Sequence, residues 1–439
     1  MSKASAKGKS LGYWSIVSIG VGGMVGGGIF AVLGLAVQLA HGGTPVAFAL
    51  AGIVALTTSY SYARLSVTYP SQGGTVEFLN QAFGPGLLTG GLNILLWLSY
   101  IVMLSLYAYA FGSYGASFFP KVMQPFWKHI FISGSIILLT GLNILSAKAV
   151  GKAEEWIVGF KIAILLFFIG VGLWSVNVQR LELSAWTNTL QLIAGGMIIF
   201  LAYEGFELIA NTAGDVKNPR RTLPRAYYSS VGFVIALYIL VSLVTVGNLP
   251  IGRIVAARDY ALAASAQPFL GSFGFILIAI AALLSTGSAI NATLYGASRV
   301  SYTIAKEGEL PEVLEEKIWR RPIEGLLITS ALTLLVANLF NLSSIAMMGS
   351  AGFLLIFAAV NRANLRLYRK TASHRWIAIL GIVLCLAALG ALIWQVAGTA
   401  PRELWVLAIM VGTAFAIEAI YRKLTGRVLR PLMKAGAKD

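Results

Sequence analysis

The sequence predicts an all-α integral membrane protein of about twelve transmembrane helices, on three observations. Of its 439 residues 57% are hydrophobic and only 11% charged, whereas a soluble protein carries about 25% charged residues. The apolar stretches are long and continuous, each near the ~20 residues that cross a bilayer as a helix, and they lack the period-two alternation of a membrane barrel. Lys and Arg gather in alternate connections, as a fixed membrane orientation requires. No stretch is long and polar enough to form a separate soluble domain.

The apolar runs fall at about 12–40, 45–69, 86–119, 129–147, 154–176, 187–212, 227–248, 272–304, 324–341, 344–361, 376–397 and 403–421. The third and eighth are long for a bilayer and are expected to tilt or extend beyond it. An even number of spans puts both termini on one side. With the N-terminus cytoplasmic, 26 of the 33 Lys and Arg lie in inward segments and six in outward ones (Lys121, Lys128, Arg180, Arg253, Arg258 and Arg402). This bias predicts a multi-pass protein of the cell membrane with cytoplasmic N- and C-termini. The net charge of +16 is then topological. The lipid bilayer is the expected partner and nucleic acid is not, although residues 422–438 suit weak attraction to anionic lipid. The basic first nine residues lead into a span too long for a cleaved signal peptide, so the segment reads as retained. The resulting organisation is a cytoplasmic segment 1–10, helices one to ten over 11–370, helices eleven and twelve over 371–421, and a basic tail 422–439.

Residues Gly22 to Phe30, GGMVGGGIF, interrupt the first span at mid-depth. Glycine costs about 1 kcal/mol against alanine in a helix interior, so five glycines here favour unwinding. Unwound backbone at membrane depth persists only where protein buries it or water reaches it, and secondary transporters build ligand sites from such half-helix ends. Close helix packing is the competing explanation; it accounts for Gly22 and Gly26 but not for the adjacent Gly27 and Gly28. The sixth span carries FLAYEGFE (Phe200–Glu207), where a glycine and two acids interrupt an apolar run. Five spans separate the two breaks, so they cross the membrane in opposite directions, as a five-plus-five inverted repeat requires. Spans eleven and twelve fall outside that repeat.

Four ordered motifs resemble the amino acid–polyamine–organocation transporter superfamily over roughly residues 11–370. They are GGGIF (Gly26–Phe30), AYEGFE (Ala202–Glu207), the loop GDVKNPRRTLPRA (Gly214–Ala226) and SRVSYTIAKEGELP (Ser298–Pro311). Within the superfamily the chain is most similar to proton-coupled ApcT-type amino-acid transporters, which carry a lysine on helix five; here VGKAEEWIVGFKIAILLF (Val150–Phe168) places Lys161 there. The resemblance implies a five-plus-five inverted-repeat core with broken helices one and six, two extra helices, and alternating access. It also implies proton-coupled uptake of α-amino acids. Exchange, or carriage of cationic amino acids or polyamines, is the alternative within transport; a non-transporting amino-acid sensor is the alternative outside it. An enzyme is disfavoured because no nucleophile–base pair or metal-ligand cluster stands out.

Lys161 lies about 9 Å inside its span by helical rise, counted from Glu155. Snorkelling to the headgroups is one reading. The other is that it faces the interior, as intramembrane cations usually do, where burial disfavours the charged form and the amine loads and releases a proton. In sodium-coupled relatives of this architecture helices one and eight chelate sodium at the corresponding place. The matching groups here are the Gly22 and Gly23 carbonyls with Ser285, Thr286 and Ser288, and a protonated lysine substitutes for the ion. The hydroxyls have the alternative of bonding backbone within their own helix. Glu204 and Glu207, on neighbouring helical faces, are the mid-membrane carboxylates of the core and are functional candidates by default. Glu207 is placed with the proton-coupling set, Lys161, Gly22, Ser285, Thr286 and Ser288. Glu204 is placed near the substrate, and Glu418 in helix twelve reads as peripheral.

The substrate site follows from helix ends. The N–H groups at Gly27, Gly28 and Ile29 suit a carboxylate, and carbonyls near Gly23 to Val25 and Phe200 to Tyr203 suit an ammonium. The candidate set is Gly23, Met24, Gly26, Gly27, Gly28 and Ile29 with Phe200, Ala202, Tyr203, Glu204 and Phe206. A ligand with both charges one carbon apart, an α-amino acid, matches it. Tyr203 and Phe206 read as pocket walls or gates, with simple packing as the alternative. No GK[ST] phosphate loop is present and His41, His129 and His374 are scattered, so neither a nucleotide, a metal nor another cofactor is expected. The single cysteine, Cys385, excludes an internal disulfide. The oligomeric state is open.

Overall fold

The computed structural model describes residues 11–145, 147–306 and 323–425. The N-terminal cations Lys3, Lys7 and Lys9, the end of the fourth motif beyond 306, the loop cations Lys317, Arg320 and Arg321, and the tail from 426 lie outside the described residues. Among the described residues ten helices are long and apolar enough to cross a membrane, and the pair α1 (Tyr13–Met24) and α2 (Gly28–Ala40), bent by 43°, makes one further span. The shorter apolar helix α12 (Ile323–Leu339) stands where the ninth span is expected.

The second span is α3 (Thr44–Thr68). A short amphipathic helix, α4 (Thr75–Phe83), follows it before the third span, α5 (Leu87–Ala116). Then come α6 (Gln124–Leu145) and α7 (Ala147–Gly172). The sixth span starts as α8 (Thr189–Ile198), capped by Asn188, which accepts the Gln191 N–H at 2.9 Å. It then tightens into 3₁₀ winding over Ile199–Asp215. The span of the second motif therefore changes winding where the first span parts and bends.

The seventh span, α9 (Pro219–Asn248), is set by its sequence: Asn218 takes a left-handed conformation (φ 48°) and Pro219 supplies the first helical residue. A short helix α10 (Ile251–Ala256) and a turn at Arg258–Tyr260 precede α11 (Ala261–Lys306). The length of α11 is resolved by a kink at Gly271, whose φ of 62° suits glycine, and the apolar run predicted from 272 begins there. By contrast α5 runs 30 residues unbroken. After α12 come α13 (Leu342–Arg366), a single turn α14 (Tyr368–Thr371), α15 (Arg375–Thr399) and α16 (Pro401–Thr425).

Burial separates core from periphery. The sixth span is 89% buried and α5 and α13 are each 83% buried, whereas α15 and α16 reach 28% and 22%. The last two spans therefore flank the bundle. Glu418 on α16 departs from the peripheral expectation: it is buried against α5, where a Cβ on Gly90 would collide with its carboxyl group.

Two short backbone bridges tie the first and sixth spans together. Leu11 at the start of the first pairs with Val216 past the end of the sixth, and His41 at the end of the first pairs with Trp186 before the start of the sixth. Start meets end at both places, so the two spans run in opposite directions.

Candidate functional site

The C-terminal turn of a helix leaves carbonyls without helical partners, and at the end of α1 these are met by side chains from four other helices. Gly22 O accepts from Lys161 Nζ of α7 at 3.1 Å. Gly23 O takes a long contact from the Tyr107 hydroxyl of α5 at 3.5 Å. Met24 O accepts from the Tyr238 hydroxyl of α9 at 2.7 Å, and Val25 O from the Ser285 hydroxyl of α11 at 2.6 Å. The carbonyls expected to face a substrate ammonium are thus engaged by protein donors in this conformation.

Tyr238 touches more than one strand of the site. Its hydroxyl also lies 3.2 Å from Ala202 O of the sixth span, and the Ile29 N–H at the start of α2 faces the Tyr238 hydroxyl oxygen. One phenol therefore joins the end of α1, the beginning of α2 and the sixth span. Neither Tyr238 nor Tyr107 was singled out by sequence, because an aromatic in an apolar helix carries no periodic signal that separates a hydrogen-bonding role from packing.

The glycines let two backbones touch. An ideal Cβ on Gly28 would stand 2.6 Å from Ala202 Cα, and one on Gly23 would stand 2.7 Å from Gly205 O. A Cβ on Gly205 would meet the Gly23 carbonyl carbon, and one on Gly27 would meet the Tyr107 ring. Unwinding and close packing, posed as rivals by the sequence, occur together here. Gly26 faces Ala289 of α11, whose Cβ an added methyl would approach to 2.7 Å.

On the sixth span Phe200, Ala202, Tyr203, Glu204 and Phe206 are all buried. The Tyr203 hydroxyl donates to Phe48 O at 2.9 Å, and its ring lies 5.1 Å from that of Tyr238. Phe206 packs among Tyr62 and Phe357, with ring centroids 5.4 and 5.2 Å away. Tyr203 thus ties the sixth span to α3 through its hydroxyl, and Phe206 packs.

Lys161 is fully buried, and Val158 one turn earlier packs on Gly22. A side chain so placed does not reach the headgroups. Ser285 bridges to the first span, whereas the Thr286 hydroxyl bonds back to Ala282 O of its own helix at 2.7 Å. Ser288 lies on the same helix, half-buried.

The 3₁₀ winding changes the relation of the two acids. At 3.0 residues per turn, side chains three apart eclipse rather than sit on neighbouring faces, so the Glu204 and Glu207 carboxyls come close enough to interact. Glu207 also accepts from the Tyr100 hydroxyl, from Thr75 Oγ1 at 3.1 Å and from the Tyr62 hydroxyl at 3.3 Å. Thr75 belongs to α4, a helix too short to register among the apolar spans.

One cavity reaches the site, and another lies at the opposite end of the bundle. One of about 400 Å³ opens beside Leu11 and Arg299 and ends against Gly23, Val158 and Leu208. The other, about 450 Å³, lies at the far end around Tyr109, His129 and Asn338. There Lys128 Nζ bonds Asp259 at 3.0 Å and stands 3.6 Å from the Tyr109 ring centre. The Arg258 backbone is seated on Gly34 of α2, which closes this end over the first span.

The model of the amino acid permease family matches residues 11–415. An uncharacterized protein of Methanocaldococcus jannaschii is 38% identical over 96% of this chain and 97% of its own length. The inner membrane transport protein YbaT of Escherichia coli is 36% identical over 91% and 93%. The methylthioribose transporter of Bacillus subtilis is 26% identical over 84% and 83%.

Proposed function

The chain belongs to the amino acid permease family, and from that premise we propose that it takes up small or apolar α-amino acids across the cell membrane, coupled to protons, by alternating access. Two of the three relatives are named transport proteins, and the chain's many apolar helices make it a multi-pass membrane protein. The observation that carries the coupling is the bond from buried Lys161 to Gly22 O at the break of the first helix. A group that changes charge there changes how firmly α7 holds the half-helix that lines the substrate path.

The positive-inside bias makes the end bearing Leu11 and Arg299 cytoplasmic. On that orientation the cavity reaching Gly23 is open inward, and the Lys128–Asp259 pair and the Arg258–Gly34 contact close the outside. The substrate carboxylate is taken by the α2 N-terminus at Gly27, Gly28 and Ile29, where the helix dipole and N–H groups without partners inside the helix favour an anion, the Ile29 N–H exchanging Tyr238 for the substrate. Its ammonium takes the carbonyls now held by Tyr107 and Tyr238. Binding thus replaces internal hydrogen bonds with equivalent ones, which keeps the exchange of partners shallow in energy.

A second reading, exchange without protons, is favoured by the form of the Lys161 contact, since a permanently charged amine would serve as a fixed tether. Counterflow of labelled amino acids in proteoliposomes, with and without a pH gradient, separates the two. Uptake driven by an inward proton gradient supports symport. Counterflow that ignores the gradient supports exchange, and no amino-acid movement in either condition refutes the transport reading. Strong competition by a diamine lacking a carboxylate would favour the polyamine alternative.

A further inference from the structure

Glu207 is surrounded by donors. It accepts hydrogen bonds from Tyr100, Tyr62 and Thr75, supplied by three separate helices, and the Glu204 carboxyl, three residues back along the same 3₁₀ winding, stands next to it. Glu204 is placed differently: 98% of it is buried, and its Oε1 has no hydrogen-bond partner. Two adjacent buried carboxyls cannot both stay charged, so one of them holds a proton, and that proton can be donated to its neighbour. The donors decide which. An anion at Glu207 is satisfied on both oxygens, whereas an anion at Glu204 would leave a bare charge at Oε1. A neutral acid at Glu204 leaves only a carbonyl oxygen unpaired, a far smaller penalty.

We infer that Glu204 and Glu207 form a proton-binding site of their own, two buried carboxyls sharing one proton that Glu204 donates to Glu207. The site goes beyond the role proposed for Lys161 and holds whether or not uptake is proton-coupled. The titratable groups that face the pair are phenols: Tyr62 on α3, Tyr100 and Tyr107 on α5, and Tyr227 with, beyond it, Tyr238 on α9. The other helices packed on this segment bring little charge near it. α2 and α8 have no titratable residue and α1 only Tyr13; Glu77 on α4 is engaged by Gln81, and Arg362 and Arg366 on α13 are exposed. The inward cavity touches Leu208 and Asn211 of the sixth span but neither acid. The proton is therefore occluded, and water reaches it only when the sixth span leaves Gly23. Glycines at 23 and 205 make that separation a parting of two backbones rather than a repacking of side chains.

Infrared difference spectra of the full chain in proteoliposomes test this directly, with deuterium exchange as the label. Glu418 and Glu324, the other carboxyls among the described residues with a buried, unpartnered oxygen, are first replaced by Gln to clear the background. The expected result is a protonated-carboxyl C=O band, present at about pH 7, that shifts slowly in D2O. It is lost in Glu204→Gln, moved or lost in Glu207→Gln, and unchanged in Lys161→Met. The wild-type spectrum alone overturns the site if it lacks the band, so the test does not depend on every variant folding. A band untouched by Glu204→Gln, or unmoved by Glu207→Gln, overturns it equally. Because the readout is spectroscopic, a failure of proton-coupled uptake leaves this result standing and the reverse is also true.

Discussion

Lys161→Met removes the amine that reaches Gly22 O at 3.1 Å while keeping an unbranched stem in a fully buried position. A buried carbonyl left without its donor costs about 1–3 kcal/mol. Spent on one conformation of the first span, that is roughly 5- to 150-fold in a conformational or binding equilibrium. Initial uptake rates in proteoliposomes between pH 5 and 8 should therefore fall several-fold. The distinguishing change is in shape: wild-type uptake should rise as external pH falls, and the variant's profile should flatten. Lys161→Arg should stall net uptake, because a guanidinium does not deprotonate in proteins. Ser285→Ala is the control, since it strips the neighbouring donor from Val25 O without removing a titratable group. It should lower the rate by a similar factor at every pH. A Lys161→Met profile that overlays the wild type would refute the lysine mechanism.

Gly205→Ala places a methyl group on the Gly23–Met24 backbone, an overpacking cost of about 1–3 kcal/mol that exceeds the helix-propensity gain of about 1 kcal/mol. Thermal stability in detergent and uptake should both fall; a variant matching the wild type in both would disprove the close approach of the first and sixth spans. Asp259→Asn breaks the partly exposed pair with Lys128, worth about 0.2–1 kcal/mol. It should raise thiol labelling of a cysteine placed at Ala116, in the outer cavity, by no more than about fivefold. Unchanged labelling would show that the pair does not latch that end. A cysteine at Lys217 should resist impermeant reagents applied to intact cells, and efficient labelling there would reverse the orientation.

The spans were legible because bilayer thickness writes itself into sequence as runs of about 20 apolar residues. The break at Val25–Gly27 was legible because clustered glycine is costly in a helix, and Lys161 because a cation in such a run is rare. What stayed hidden has a common physical cause. Tyr62, Tyr100, Tyr107 and Tyr238 act through a hydroxyl at the tip of an otherwise apolar ring, and nothing in their spacing distinguishes that tip from packing. Thr75 was missed because α4 is only nine residues long. The alignment of Glu204 with Glu207 depends on 3₁₀ winding, which a 3.6-residue expectation places differently. Glu418 was misread because its cover, the bare backbone at Gly90, comes from a helix more than 300 positions away.

The ties at the end of α1 also bound how much a proton can do. Of the donors on Gly22, Gly23, Met24 and Val25, the three hydroxyls of Tyr107, Tyr238 and Ser285 bond alike at any working pH. Only the tie from Lys161 depends on protonation. A hydrogen bond from a charged group is worth about 1.5–3 kcal/mol against about 0.5–1.5 for a neutral one, so protonation biases the first span by roughly 1–1.5 kcal/mol. That is about tenfold in population. Moving a two-state protein from 1:99 to 99:1 takes about 5.5 kcal/mol, so the proton cannot turn the carrier by itself. On the proposed function the balance comes from a ligand that occupies both half-helix ends at once, replacing the Tyr107 and Tyr238 contacts and adding a carboxylate at Gly28. A carrier in which neither ligand suffices resists slipping with only one bound, and that is the condition for coupling a gradient of protons to one of substrate.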